Sequence, residues 1–330
     1  MKSDRIEALF DGIPFDVPPG TKKSGFLPVE GFTPEFDVPC VLIRGREPGP
    51  IAVVIGGIHG GEHNSIEGPR RVAFDLDPKD VRGAVAIVPV ANRSAFHARS
   101  HNGSPPDGQN LARLFPGDPG GKVLERVAYV LTSKLILHGD AVLELHGADA
   151  LEVIIPHVYV PEHRPDPSIE RPWTEWDLAD MYCIEVVAPT PHRDPGSPVN
   201  VSAAAGIPSI LAEAGSGDLD EHAIRIHYRG ITNILRRMGI LEGLPLIDQP
   251  VRRRVRYARV QSPRSGFFYP QVHVGQPIEK GQVLGVVTDY FGLEQDVVTA
   301  PETGLIGFIK KTMATNKDNG LFSIAIDADA

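Results

Sequence analysis

Short apolar runs alternate with longer segments of helical periodicity between residues 38 and 240. The runs are rich in Val, Ile and Leu and mostly do not alternate with polar residues, which is typical of strands buried on both faces of a sheet. They occupy residues 40–45, 51–57, 83–90, 141–147, 182–188 and 208–215. The intervening patterns predict helices near 65–76, 121–137, 199–206 and 219–238. This alternation predicts an α/β sheet with helices on both sides.

The last of these helices has the clearest ends. Asp220 and Glu221 stand at its start and Arg236 and Arg237 at its end, so that its charges complement the helix dipole. Gly239 follows directly and predicts the stop.

Beyond Gly243 the pattern changes to short strands separated by Gly/Pro turns. The segment 244–250 has the composition of a linker. We therefore predict two domains. The first spans 1–248, of which 1–37 form an N-terminal extension or hairpin, and the second is a β-rich domain over 249–330.

Composition narrows the class of protein. The 330 residues are 42% hydrophobic and carry a net charge of −9, which suits a folded protein and argues against nucleic acid as a partner. Two cysteines, Cys40 and Cys183, are too few for a disulfide framework. The charged N-terminus lacks a signal-peptide pattern, and no apolar run approaches 18 residues. We expect a soluble cytoplasmic protein with a small-molecule substrate and no membrane partner.

A candidate metal site follows the run at 51–57. His59 and Glu62 form an H-x-x-E pair in a glycine-rich loop, and imidazole plus carboxylate suits Zn²⁺. Gly60 and Gly61 would let the loop bend so that both side chains meet one ion. A phosphate loop is excluded because no Gly-Lys-Ser/Thr follows the glycines.

The third ligand is predicted to be His146, which also ends an apolar strand. In α/β sheets, ligands bind where loops leave the carboxyl ends of strands. His63 is a weaker candidate because its side chain should diverge from that of its neighbour Glu62. The structural alternative is that these histidines only satisfy hydrogen bonds of their loops.

Two carboxylates are candidates for a supporting role. Glu213 ends a third buried strand, where a charged group is costly unless it has a partner or a function, and it is a candidate proton acceptor. Glu144 lies two residues before His146 and is a rival candidate, or a hydrogen-bond partner of a ligand histidine.

Candidate substrate-binding residues lie between the first and last ligand positions. Arg113, and with it Arg99, could bind a substrate carboxylate. Asn110 is a candidate for substrate binding or for a turn near Gly108. Taken singly, either arginine is more often a surface ion-pair residue.

Four motifs occur in the order seen in a known family. They read GGIHGGE, DGQNLARLFPG, LELHG and GIPSILAEAG. On these motifs the chain resembles the succinylglutamate desuccinylase/aspartoacylase family, which belongs with the zinc carboxypeptidases of the M14 type. The resemblance covers roughly residues 38 to 310.

The resemblance implies a carboxypeptidase-like α/β/α sandwich with a mixed central sheet. It implies one Zn²⁺ per chain, held by His59, Glu62 and His146, with Glu213 as general base and acid and Arg113 as anchor for a substrate carboxylate. It also implies that water activated by zinc adds to an N-acyl amide carbonyl, releasing an acid and an amine. A homo-oligomer is consistent with the resemblance.

Two departures from the family pattern fall in the expected substrate pocket. The anchor motif commonly reads D-[IL]-N-R, whereas Ala112 here replaces the asparagine before Arg113. The ligand loop also looks longer, since His63, Asn64 and Ser65 lie in an inserted stretch after Glu62. Both departures bear on the substrate and leave the metal ligands intact.

The C-terminal segment resembles a biotinyl/lipoyl-type β fold, with two Gly-turned strand pairs at 274–285 and 298–307. The hairpin between them, 288–297, holds no lysine to carry a cofactor, which argues against a carrier protein. The sequence therefore predicts a zinc-dependent amidohydrolase of small N-acyl amino acids or related N-acyl amines, not of the peptide bonds of proteins. The alternatives are a metallocarboxypeptidase-like hydrolase of a peptide or peptide-like natural product, and a non-enzymatic binding protein.

Overall fold

The computed structural model describes residues 7, 9–10, 13, 16–100, 103–161, 172–190, 196–248, 253–293 and 295–328. The helices are α1 His63–Asp75, α2 Arg93–Ala98, α3 Val123–Lys134, α4 Glu175–Tyr182, α5 Pro198–Ala204 and α6 Glu221–Arg237. Short 3₁₀ turns occur at Pro34–Phe36, Pro78–Asp80, Leu111–Arg113 and Ile136–His138.

The strands of the first two thirds of the chain are β1 Thr21–Leu27, β2 Val38–Arg44, β3 Ile51–Ile55, β4 Ala84–Val88, β5 Ala141–His146, β6 Glu152–Ile154, β7 His157–Pro161, β8 Val186–Thr190 and β9 Ser209–Glu213. Those of the last third are β10 Arg253–Gln261, β11 Gly266–Pro270, β12 Pro277–Ile278, β13 Val283–Thr288, β14 Gln295–Thr299, β15 Gly304–Lys310, β16 Ala314–Thr315 and β17 Gly320–Asp327.

Among the described residues, one mixed sheet of thirteen strands runs through both parts of the chain. Its order is β1-β2-β4-β3-β5-β9-β7-β8-β10-β17-β15-β12, with β6 paired to β15. Strands β4, β3, β5 and β9 are mutually parallel, while β7 lies antiparallel to β9. The carboxyl ends of β3, β5 and β9 therefore meet at one edge, as the sequence predicts.

Hydrophobic cores fill both faces of the central strands. On β3, Ile51, Val53 and Ile55 belong to the core packed with α3, and Ala52 and Val54 to the core packed with α1, α4 and α6. All five side chains are buried. This burial on both faces explains why the run at 51–57 does not alternate with polar residues.

The four predicted helices are confirmed, with ends within three residues of the prediction. The side chain of Asp220 accepts a hydrogen bond from the backbone N–H of His222 at the start of α6, and Gly239 adopts a left-handed φ of 72° just after its end. Helices α2 and α4 and strand β7 were not predicted, because segments of five to eight residues are too short to show a clear period.

The tail contains a second, smaller sheet. Its four strands run β14-β13-β11-β16 and pack on a core that includes Phe268, Leu284 and Phe322. Within 253–293 and 295–328, the regular elements are all strands. The tail also extends the large sheet, because β10 pairs in parallel with β8 and β15 pairs with β6. The tail is thereby joined to the strands that surround the candidate site.

None of the helices in the described part of the chain is both long enough and apolar enough to cross a membrane.

Candidate active site

The three predicted ligands lie together at the carboxyl edge of the sheet. His59 lies in the loop after β3, Glu62 directly precedes α1, and His146 ends β5. Nδ1 of His59 is 2.7 Å from Oε1 of Glu62, and Nδ1 of His146 is 2.8 Å from Oε2 of the same carboxylate. All three residues are buried, and one ligand atom from each lies within 4.8 Å of the others. Two imidazoles and a carboxylate facing one point form a donor set that fits a zinc ion.

The charges within this buried group shift the pKa values of Glu62 and His146. Burial by itself would raise the pKa of Glu62, but the neighbouring His59 and His146 outweigh it and hold that pKa well below its usual range. Burial would likewise lower the pKa of His146, but the carboxylates of Glu62 and Glu144 raise it above its usual value. The site thus favours an ionised Glu62, which is the form that binds metal, and a protonated His146, which would release its proton when a metal binds.

Nε2, the second ring nitrogen of His59 and of His146, lies within hydrogen-bond distance of an oxygen. Nε2 of His146 lies 2.9 Å from Oε1 of Glu144, and Nε2 of His59 lies 3.1 Å from Oδ1 of Asn110. An acceptor at Nε2 favours the tautomer whose Nδ1 lone pair is free for a cation. The role of Glu144 as a hydrogen-bond partner of a ligand histidine agrees with the sequence prediction.

In the loop that carries His59 and Glu62, the glycines differ from the prediction in their backbone conformation and packing. The left-handed residue is Gly57, with φ 63°, whereas neither Gly60 nor Gly61 has a positive φ. Gly60 is needed for close packing, because a Cβ there would lie 2.0 Å from the carbonyl carbon of Ala95. At Gly61 the nearest such contact is 3.4 Å, from Cβ of Asp149, so a side chain could be accommodated.

The stretch after Glu62 does not line the cavity, contrary to the expectation that it varies the substrate pocket. His63 contacts the carbonyl oxygen of Gly217 at 3.0 Å through Nδ1. The amide of Asn64 donates to the carbonyl oxygens of Ser216 and Asp218, at 2.7 and 3.0 Å. These residues tie the start of α1 to the loop after β9, and they thereby fix the position of the ligand loop.

Beside the three ligands lies a cavity of about 250 Å³. It is lined by His59, Glu62, Asn110, Arg113, Gly147, Ala148, Glu152, Ile154, His157, Tyr159, Glu213, Tyr257, Gly307, Phe308 and Ser323. The volume lies just below the usual range of roughly 300–1,000 Å³ for small-molecule sites, which suits a compact substrate.

Glu213 ends β9 directly opposite His146 on β5 and His157 on β7. Residues opposite one another on neighbouring strands share a face, so the three side chains form a row, of which Glu213 and His157 line the cavity. Burial raises the pKa of Glu213 to about 8; His146 opposes this shift, whereas Glu62 adds to it. A carboxyl group with a pKa near neutrality suits proton transfer in both directions.

The three candidates for substrate binding are placed differently. Arg113 lies at the end of the 3₁₀ turn Leu111–Arg113 and lines the cavity. Oδ1 of Asn110 accepts from the backbone N–H of Ala112 at 2.9 Å in addition to its contact with His59. Arg99 is exposed, terminates α2 in a left-handed conformation, and does not line the cavity. The structure brings Arg113 and Asn110 to the site and leaves Arg99 outside it.

Several lining residues were not predicted from sequence. His157 and Tyr159 alternate along β7, while Tyr257, Phe308 and Ser323 come from β10, β15 and β17 of the tail. In the stretch HVYVP, His157 and Tyr159 alternate with valines, but five residues are too few for this alternation to predict β7. The tail residues gave no local signal, because their approach depends on strand pairing across the predicted domain boundary.

The mixed α/β sheet, the His-Glu-His group and the adjacent buried carboxylate define the class of protein: a hydrolase with a site able to hold a divalent metal. A family model described as the succinylglutamate desuccinylase/aspartoacylase catalytic domain matches residues 48–238. A curated relative, the N-alpha-acetyl-L-2,4-diaminobutyric acid deacetylase of Halomonas elongata, is 31% identical over 258 residues, covering 76% of this chain and 74% of the relative. The chain belongs to the succinylglutamate desuccinylase/aspartoacylase family and is a deacylase that acts on C–N amide bonds.

Solved structures share the fold over nearly the whole chain. The succinylglutamate desuccinylase/aspartoacylase of Rhodobacter sphaeroides superposes with a TM-score of 0.84 at 22% identity, covering 97% of this chain and 100% of that one. The product-bound ectoine utilization protein EutE (DoeB) of Ruegeria pomeroyi gives a TM-score of 0.86 at 22% identity, covering 95% and 98%. The match includes the tail, so the second, smaller β sheet is part of the shared architecture.

Proposed function

We propose that the protein hydrolyses the amide bond of a small N-acyl amino acid or related N-acyl amine, with one Zn²⁺ held by His59, Glu62 and His146. The observation that carries this proposal is the convergence of both Nδ1 atoms on the Glu62 carboxylate, beside the cavity that Glu213 lines. The donor set is neutral imidazole plus carboxylate. This set suits zinc better than it suits hard cations, which prefer ligands that are all oxygen.

When bound, zinc would polarise the acyl carbonyl and lower the pKa of a water molecule. In this proposal Glu213 accepts a proton from the attacking water molecule as the water oxygen adds to the acyl carbon. The same carboxyl group then gives the proton to the amide nitrogen while the C–N bond breaks, leaving a carboxylic acid and a free amine. The raised pKa of Glu213, to about 8, suits both transfers.

Arg113 is proposed to bind the carboxylate of the amino-acid part of the substrate, since its guanidinium can hold two carboxylate oxygens at once. Asn110, which lines the cavity, is proposed to assist chiefly by orienting His59 through its Oδ1 atom. No contact supports such a role for Arg99. Ala112 removes the amide that family members commonly have beside the arginine, and we expect a looser carboxylate site as a result.

The relative from Halomonas elongata acts on an N-acetylated diamino acid. By this likeness we propose a short acyl group and an amino-acid amine as the first substrates to test. The cavity of about 250 Å³ supports a short acyl group. Hydrolysis of a peptide or peptide-like product is the competing function, and a dipeptide panel separates the two.

The tail, residues 249–330, is proposed to be a β-rich domain of biotinyl/lipoyl-like form that acts on the site and not as a carrier. The support is the strand pairing that brings β10 and β15 to the cavity. The catalytic domain would then be 1–248.

Two variants test the proposal. His146→Ala should lose both stoichiometric zinc and hydrolysis of N-acetyl amino acids, because it removes a ligand. Glu213→Gln should keep zinc but lose at least about 100-fold in kcat, because it removes the proton carrier. Full activity of the metal-free protein, or an unchanged kcat for Glu213→Gln, would refute the mechanism.

A further inference from the structure

Tyr257 is a tail residue that reaches the catalytic cavity. We propose that its hydroxyl donates a hydrogen bond to the acyl oxygen of the substrate as water adds to the acyl carbon. The inference rests on the proposed hydrolysis and assigns the tail a part in it. Tyr257 lies on β10, and it lines the cavity together with Glu213, His59 and Glu62.

The first support is an unsatisfied donor. The hydroxyl oxygen of Tyr257 is buried and has no hydrogen-bond partner among the described residues. Leaving a buried hydroxyl unpaired is destabilising, so such a group in a native structure calls for an explanation. A substrate atom bound in the cavity would supply the missing acceptor.

The second support is the way the ring is held. It packs edge-on against His157, with ring centroids 5.5 Å apart, and lies 6.1 Å from the ring of Tyr159. On its other side it passes close to Gly307, where a Cβ would lie 2.8 Å from Cε1 of the tyrosine. A β-bulge in β15 between Ile306 and Phe308 sets this close approach. The hydroxyl is thus a fixed donor, and fixed donors stabilise developing charge without reorganisation.

The third support is the charge of the cavity. Glu62 and Glu152 also line the cavity; neither carboxylate can donate a hydrogen bond to the acyl oxygen, and that of Glu152 is paired with Lys310 at 2.7 Å. Arg113 is assigned to the substrate carboxylate. Burial raises the pKa of Tyr257 far above its usual value, and Glu213 adds to this, so the hydroxyl keeps its proton. Tyr257 is therefore suited to donate a hydrogen bond but not to transfer the proton.

Addition of water and cleavage of the C–N bond need no reactant besides the substrate and one water molecule. The water oxygen bonds to the acyl carbon, and the carbonyl π pair moves to the acyl oxygen, which accepts the hydrogen bond from Tyr257. That pair then re-forms the carbonyl as the C–N bond breaks. The amine leaves with the proton carried by Glu213.

The test compares Tyr257→Phe with Tyr269→Phe, a matched change at an exposed position of β11 in the same tail. Tyr257→Phe should lower kcat about 100-fold, the effect of removing one such donor, with KM for an N-acetyl amino acid changed less than about 3-fold. Binding of a phosphonamidate analogue, whose tetrahedral phosphorus replaces the acyl carbon, should weaken by a similar factor. Tyr269→Phe should match the wild-type protein.

A purely structural role is separated by stability and metal content. Tyr257→Phe should keep full zinc occupancy and be at least as resistant to urea, because it removes an unsatisfied hydroxyl. An unchanged kcat, a raised KM with kcat intact, or a loss of stability equal to the loss of activity would each overturn the proposal. If the wild-type protein and Tyr269→Phe both hydrolyse the substrate, the proposed function holds. Any of these three outcomes then counts against the role of Tyr257 alone.

Discussion

Glu144 and His146 stand two positions apart on β5, and Oε1 of the glutamate lies 2.9 Å from Nε2 of the histidine. Alternate residues of a strand share a face, which makes this pairing a direct result of the sequence. The second carboxylate oxygen accepts from the backbone N–H of Val199 near the start of α5, at 2.9 Å. The glutamate is thus fixed at both oxygens, and it fixes the ring whose Nδ1 faces Glu62 in the candidate metal site.

Glu144→Gln should weaken zinc binding 10- to 100-fold, because the neutral amide is a poorer acceptor for Nε2–H and makes the histidine a weaker ligand. Competition with a chromophoric chelator measures this affinity. Glu242→Gln, at an exposed position, serves as the control and should bind zinc as the wild type does. Equal affinities for the two variants would contradict the role assigned to Glu144.

His59, in the loop after β3, and His63, the first residue of α1, offer a matched pair. His59→Ala should abolish stoichiometric zinc, since Nδ1 of His59 faces Glu62. His63→Ala should keep the metal, because this ring contacts the carbonyl oxygen of Gly217 instead. Elemental analysis after dialysis against zinc-free buffer measures both. Retention of metal by His59→Ala, or its loss from His63→Ala alone, would reverse the assignment.

Three residues of the candidate site could be brought together from sequence because each lies at or just after the end of a strand whose buried, apolar pattern is clear. His59 follows β3, while His146 and Glu213 end β5 and β9. The parallel arrangement of these strands brings their ends together, and the relation needs no knowledge of distant segments. The interaction of Glu144 with His146 follows from the same local periodicity.

The remaining wall of the cavity depends on pairings that no local pattern encodes. Parallel pairing of β10 with β8 brings in Tyr257, and antiparallel pairing of β15 with β6 brings in Phe308. Arg99 shows the reverse case: it is close in sequence to the site, yet the left-handed end of α2 leaves it exposed and outside the cavity. Proximity in the sequence did not predict which residues line the cavity where a short helix or a turn sets the direction of the chain.

Gly60→Ala should destabilise the protein by about 3 kcal/mol or more, because the new Cβ would overlap the backbone of Ala95. Gly61→Ala should cost less than about 1 kcal/mol, since its nearest contact is an ordinary one at 3.4 Å. Urea unfolding of both variants measures the difference. Equal losses would show that the loop needs glycine for backbone freedom at both positions and not for packing at one.

The titration of His227 makes the free energy of unfolding depend on pH. Its ring is fully buried on α6, and Nδ1 accepts a hydrogen bond from the hydroxyl of Tyr182 at 2.6 Å. Burial lowers its pKa from 6.5 to about 4. Between these two values the unfolded chain binds a proton that the folded chain does not, so acid favours unfolding. The stabilising contribution is complete above pH 6.5 and is lost as the pH falls towards 4.

His227→Gln should therefore reduce the acid sensitivity of the protein. Each pH unit in this window is worth about 1.4 kcal/mol, so the wild type should lose about 2 kcal/mol more than the variant between pH 7 and pH 5. Urea unfolding in the presence of a chelator measures this difference and removes the effect of pH on metal binding. The titration of His157, whose pKa is also lowered to about 4, is common to both proteins and cancels. Parallel stability curves for the two proteins would show that His227 takes up its proton without unfolding.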